Sequence, residues 1–104
     1  MAEFRFSRRA EADLLGIAAY TLRTWGKTQT IRYIDDFEKC CQMLADSPAL
    51  GRFCDEVRPG LRRMECGRHV VFYREEHAGI LISRILHQRM LPERQTLDDE
   101  DDQP

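Results

Sequence analysis

The sequence predicts an α+β domain of order β-α-α-β-β-β, a helical hairpin packed on a small, mostly antiparallel sheet. Three observations predict it. Apolar residues recur at helical spacing through two consecutive segments of the first half. From Leu61 onward the hydrophobic period becomes that of strands. The connections within each half are short enough to force antiparallel neighbours. At 104 residues the chain fits a single domain and can bury a core without staples.

Phe4-Arg5-Phe6 alternates and reads as a short edge strand. Ser7 is a good N-cap for the helix that follows, and Glu11 and Asp13 sit in its first turns, where the helix dipole favours acids. Ala10, Leu14, Ile17, Thr21 and Trp25 form its apolar face, and Gly26 stops it. Thr28 is placed to cap a second helix with the stripe Ile31, Ile34, Phe37, Cys41, Leu44 and Ala45. That helix ends near Ser47, because Pro48 disfavours helical backbone in the residue before it.

Residues 48–60 read as a linking loop anchored by Leu50, Phe53 and Val57. Strands are expected over residues 61–66 and 69–74, joined by Gly67-Arg68, a Gly-X pair suited to a type II′ turn. Residues 75–79 form a longer polar turn. Residues 80–86 are apolar on both faces, so that strand belongs in the sheet interior. Residues 87–97 are irregular and contain Pro92. Residues 98–104 have almost nothing to bury and are expected to be a disordered acidic tail after a domain of residues 1–97.

The formal charge of −2 conceals a division. Asp98, Asp99, Glu100, Asp101 and Asp102 hold five acids; the other 13 acids face 16 bases, so residues 1–97 carry about +3. Fourteen of the bases are Arg, the side chain suited to bidentate carboxylate and phosphate contacts. Arg58, Arg62, Arg63, Arg68, Arg74, Arg84, Arg89 and Arg94 all fall in the loop and sheet half, which suggests an anionic partner, either nucleic acid or an acidic protein helix. Arg84 lies inside the most apolar strand, where a charge needs a partner such as Glu65.

Other chemistry is sparse. There is no nucleotide-binding loop and no hydrolase or zinc-protease motif, and His69, His77 and His87 are spaced too widely for a metal site. His69 reads as structural, His77 as solvent-facing and His87 as a strand-end residue able to move a proton. Cys40, Cys41, Cys54 and Cys66 contain no C-x-x-C pair and read as reduced, small apolar residues. No apolar run reaches membrane-span length, and the start lacks a secretory leader, so the expected compartment is the cytoplasm.

A longer pattern carries more information. Ser7-x-x-Ala10-x-x-Asp13-Leu14-x-x-Ile17-x-x-Tyr20, then Trp25-Gly26, resembles the opening of the ParE toxins in the RelE/ParE superfamily. Tyr33, Leu44, Pro48 and Gly51 continue the resemblance. So do the runs Asp55-Glu56-Val57-Arg58-Pro59-Gly60-Leu61-Arg62, His69-Val70-Val71-Phe72-Tyr73-Arg74 and Arg84-Ile85-Leu86-His87-Gln88-Arg89-Met90. The match spans nearly all of residues 3–97 and leaves the acidic tail unexplained.

The resemblance implies a toxin of a type II toxin–antitoxin pair, neutralised by a ParD-like antitoxin and meeting operator DNA only through it. ParE-like members are associated with DNA gyrase inhibition; RelE-like members cleave mRNA. A nuclease would draw on Glu65, Arg74, Arg84 and His87, but no Lys lies in the sheet half and no Tyr follows Tyr73, so a non-enzymatic inhibitor fits better. A third reading is a toxin-fold binding module without activity. Antitoxin contacts are expected at Tyr20, Leu22, Tyr33, Arg62, Arg63, Met64, Arg68 and Val71, with Met64 and Val71 on the sheet face away from the helices. Target contacts are expected at Arg84, His87 and Arg89, with no metal or cofactor.

Overall fold

The computed structural model describes residues 2–88. Arg89, the rest of the irregular segment and the acidic tail lie outside the described residues. The elements are β1 (Glu3–Phe6), α1 (Arg8–Trp25), α2 (Lys27–Asp46), a 3-10 turn (Pro48–Leu50), β2 (Arg52–Phe53), β3 (Arg62–Cys66), β4 (His69–Glu76) and β5 (Gly79–His87). The sheet order is β1-β5-β4-β3-β2. Only β1 runs parallel to its neighbour; the other pairs are antiparallel.

The α+β class, the helical hairpin and the edge position of β1 are as the sequence predicts. Ser7 caps α1 by accepting from the Ala10 N–H at 3.0 Å, and its own hydroxyl donates to the Ser83 carbonyl at 2.9 Å. The cap therefore docks α1 onto β5 as well as starting it. Gly26, at φ 90°, ends α1 and begins α2. Thr28 is not the cap of α2, because the single left-handed glycine makes the turn and leaves no room for a separate capping residue. Gly67 at φ 68° followed by Arg68, which is not at positive φ, is the signature of the expected type II′ turn.

Two boundaries differ from expectation. The loop 48–60 contains β2; Val57 anchors it as expected beside the buried Cys54, whereas Leu50 and Phe53 are about half exposed. Phe53 stays outside because the Arg62 guanidinium covers its ring at 3.8 Å. β4 runs on to Glu76, leaving only His77 and Ala78 between the strands, because Glu75 and Glu76 pair with Ile80 and Gly79.

The sheet is covered on both sides. Between helices and sheet lie Ala10, Phe37, Cys41, Leu44, Val71, Tyr73, Ile80, Ile82 and Ile85, with Met64 packed against them. Met64 and Val71 thus face the helices, not the open side, because the strand alternation sets them beside Tyr73. The opposite face holds Cys54, Leu61, Val70, Phe72 and Leu86. Tyr73 is fully buried; its hydroxyl donates to the Pro48 carbonyl at 2.6 Å and accepts from the Gly51 N–H at 2.8 Å, fastening the loop under the sheet.

A bulge divides β5. Phe72 pairs with Arg84 but Tyr73 pairs with Ile82, so Ser83 is an extra residue. The extra residue reverses the facing of all that follows, turning Ile85 toward the helices and Leu86 to the other side. At the other end of β5, a Cβ on Gly79 would collide with the Glu3 backbone of the adjacent strand. Gly79→Ala is expected to cost about 1–3 kcal/mol through overpacking, seen as a lower urea midpoint. An unchanged midpoint would mean that β1 is free to shift.

The cysteines correct another expectation. Cys40 and Cys66 form a disulfide joining α2 to β3, while Cys41 and Cys54 are free and buried. Sequence spacing hides the pair, because Cys66 is 26 residues beyond Cys40 and only folding brings them together.

Candidate functional site

α1 and the β3–β4 turn stand apart over the end of β5, leaving a groove of about 720 Å3. Its floor is Ile85, Leu86 and His87; Tyr20, Thr21 and Trp25 line the α1 side, and Tyr33, Arg68 and His69 the other. The groove exists because β1 stops opposite Ile82. Past that point no strand among the described residues covers the edge of β5, and α1 takes over.

Asp13 performs the takeover. Its Oδ2 accepts from the Ile85 N–H at 2.9 Å, where a further strand would otherwise supply a carbonyl. The same carboxylate receives Arg84 in a two-pronged ion pair, Nε at 2.8 Å and Nη2 at 3.2 Å. Both side chains are largely buried, 13% and 16% exposed. Arg84 thus pairs with Asp13, not with Glu65 as expected from the sequence. The sequence signal for Asp13 is its position: an acid between Ala10 and Ile17 on the apolar face of α1 must have a buried partner.

At the far wall, the Tyr33 hydroxyl and His69 Nδ1 lie 2.6 Å apart, one donating to the other according to which ring nitrogen holds the proton. The Tyr33 oxygen also accepts from the Arg68 N–H at 3.0 Å. His87 faces His69 across the β4–β5 pair, ring centroids 5.3 Å apart. Burial, and then the neighbouring His87 and Arg68 charges, push His69 down to about 4, with Asp13 opposing. Burial also raises Tyr33. His69 is thus a neutral ring at physiological pH and the Tyr33 hydroxyl keeps its proton. Arg68 reaches over the Trp25 ring at 5.7 Å, closing one end of the groove.

The groove gathers Tyr20, Tyr33, Arg68, Arg84 and His87 from among the residues singled out in the sequence, and adds Asp13, Trp25 and His69. Leu22 lies outside it, on an exposed apolar stripe of α1 with Leu15 (72% exposed), and Ile31 of α2 is also exposed (59%). Ile31 therefore does not belong to the buried stripe of α2. Arg62 is held internally, donating to the Gly51 carbonyl at 2.7 Å. Arg63 lies against Phe72 on the sheet face away from the helices at 5.4 Å. Val71 is wholly buried and presents no surface.

The nuclease quartet is not brought together. Arg74 lines a separate recess with Arg5, Glu76 and Gly79, Glu65 lines neither cavity, and Arg84 and His87 belong to the groove. Among the described residues no group of three or more His, Cys, Asp or Glu is placed to hold a metal ion. No helix among them is long and apolar enough to cross a membrane.

Comparison with known proteins gives a consistent result. Residues 4–92 match the family model described as ParE toxin of type II toxin-antitoxin system, parDE. Toxin ParE1 of Caulobacter vibrioides is 40% identical over 90 residues, 86% of this chain and 93% of that protein. Toxin ParE1 of Mycobacterium tuberculosis is 37% identical over 90 residues, 86% and 92% respectively. Toxin ParE of Escherichia coli is 39% identical over 92 residues, 86% and 88%. A solved chain titled Chromosomal ParDE TA system from P. aeruginosa shares the fold with a TM-score of 0.68 at 22% identity, covering 84% of this chain and 96% of that one. The helical hairpin on its sheet and the match along most of its length place this chain in the ParE toxin family of type II toxin–antitoxin systems.

Proposed function

We propose that the chain is a cytoplasmic growth-arresting toxin that a ParD-like antitoxin holds inactive, and that its target is DNA gyrase. The observation that carries the choice of target is the state of Arg84. A phosphate-cleaving site needs a cation free to stabilise developing charge, beside a proton-transfer group. Here Arg84 is already bound by the Asp13 carboxylate, and Glu65 and Arg74 lie elsewhere. Inhibition by surface binding fits this arrangement better than RNA cleavage.

Antitoxin pairing is supported by the ParDE title of the solved relative and by the apolar surface that α1 leaves exposed. A ParD-like segment seated in the groove along Tyr20 and Trp25 would set its acids against Arg68, while a further part of it would cover the exposed Leu15 and Leu22 stripe of α1. Operator DNA would be contacted through the antitoxin.

The purified chain is expected to inhibit gyrase supercoiling, to leave ribosome-bound mRNA intact, and to lose inhibition when its antitoxin is added. Cleavage of mRNA abolished by His87→Ala would overturn this reading in favour of the nuclease. Absence of both activities, and of growth arrest on expression, would leave a binding module. Leu22→Asp should weaken the antitoxin complex roughly 10–100-fold, because an apolar contact becomes a buried charge, while leaving the melting temperature of the free chain almost unchanged. Unaltered affinity in a titration would remove the α1 stripe from the interface.

A further inference from the structure

The Cys40–Cys66 bridge ties α2 to β3, and its placement gives it a consequence. Cys66 is the last residue of β3, paired with His69 across the turn that carries Arg68. Cys40 lies two helical turns beyond Tyr33 on α2, on the same side of the helix. The turn is therefore held to α2 at two points: the Tyr33 hydroxyl, bonded to the Arg68 N–H and set against His69, and the disulfide. That turn is one wall of the groove, and its Arg68 guanidinium reaches across to Trp25 on the other.

The four cysteines are not equivalent. Cys66 is 3% exposed, whereas Cys40 keeps part of its surface at the edge of α2. Cys41 and Cys54 are buried, and burial pushes the Cys41 thiol up to about 12 and raises Cys54 as well, so both are poor nucleophiles. The α-carbons of Cys40 and Cys66 stand 6.0 Å apart, a span at which the bridge can open and re-form without moving the backbone. On the cytoplasmic reading proposed above, the compartment is reducing, and disulfides there are commonly transient and regulatory.

We propose that Cys40–Cys66 is a thiol–disulfide exchange site, acted on by small thiols and dithiol oxidoreductases, that couples redox state to the rigidity of the groove wall bearing Arg68 and His69. A thiolate attacks Cys40 Sγ; the Cys40–Cys66 bond breaks, and its electron pair leaves on Cys66 Sγ, which takes up a proton. A second thiol attacks the mixed disulfide on Cys40, releasing the Cys40 thiol and a disulfide of the two attacking thiols. Oxidation is the reverse, with that small disulfide as the electron acceptor.

Trp25 is the only tryptophan in the chain and lines the groove, so it reports the wall directly. The full chain is equilibrated in a series of reduced and oxidised dithiothreitol buffers, with Trp25 emission and melting temperature read at each ratio. A single two-electron transition is expected in both signals, the reduced form melting roughly 10 °C lower because the unfolded chain loses a cross-link. With glutathione, peptide mapping is expected to find the mixed disulfide on Cys40. Cys40→Ser and Cys66→Ser should each abolish the transition and match reduced wild type. Should either variant fail to fold, the wild-type titration alone decides. Four free thiols in the protein alkylated without reductant would overturn the proposal, as would identical Trp25 emission across the series.

Discussion

Asp13→Ala is expected to destabilise the domain by about 3–5 kcal/mol, because it leaves the Arg84 charge in a largely buried site without its carboxylate. The Ile85 N–H loses its acceptor in the same step. For a domain of this size the loss corresponds to a fall in melting temperature of roughly 15–30 °C. Two further variants separate the causes. Asp13→Asn keeps an oxygen for the Ile85 N–H and should recover part of the loss. The pair Asp13→Leu with Arg84→Met removes both charges and should be closer to wild type than Asp13→Ala alone. If Asp13→Ala melted within a few degrees of wild type, the carboxylate would not be what substitutes for the missing strand beside β5.

The second large effect is on pH. His69 stands at about 4 in the folded protein, against an ordinary value of 6.5. The unfolded chain therefore takes up this proton first as pH falls. Stability from this residue is full above pH 6.5, declines between 6.5 and 4, and levels off below 4. The total loss is about 3 kcal/mol, read from urea midpoints across the window. Lower in pH a different group acts. Glu76, held below its usual 4.5 by its hydrogen bond to Arg5, gives stability that is lost as pH falls through its folded value. His69→Gln should flatten the 6.5 to 4 limb and leave the Glu76 limb in place. A wild-type midpoint constant from pH 7 to 4 would show that His69 takes up its proton at no cost.

Much of the architecture was legible because it depends on local pattern. Ser7, Gly26, Pro48 and Gly67 mark their elements by backbone chemistry, and helical or alternating apolar residues identify which segments pair. The β5 bulge was not legible, because an extra Ser83 is defined only by its partner strand. Met64 and Val71 face the helices, against expectation, for a related reason: alternation separates the two faces of a strand without saying which one the helices cover. The candidate site was half legible. Tyr20, Tyr33, Arg68, Arg84 and His87 were all singled out, yet nothing local joins them into one groove. Asp13 read as a helix-dipole acid although its main contacts are with Arg84 and Ile85, 71 and 72 residues away. The disulfide is illegible for the same reason, a long-range pairing between residues whose local contexts do not mark them.

The parallel seating of β1 beside β5 has a consequence for synthesis. The first strand finds its hydrogen-bonding partner in the last, and the cap of α1 bonds to Ser83, 76 residues downstream. Contacts this distant in sequence are slow to form and require most of the chain to be available. A nascent chain on the ribosome can assemble the helical hairpin early, but neither the closed sheet nor the groove can exist until β5 has left the exit tunnel. The completed surface therefore appears late and all at once, and a partner that reads it can bind only once β5 is in place.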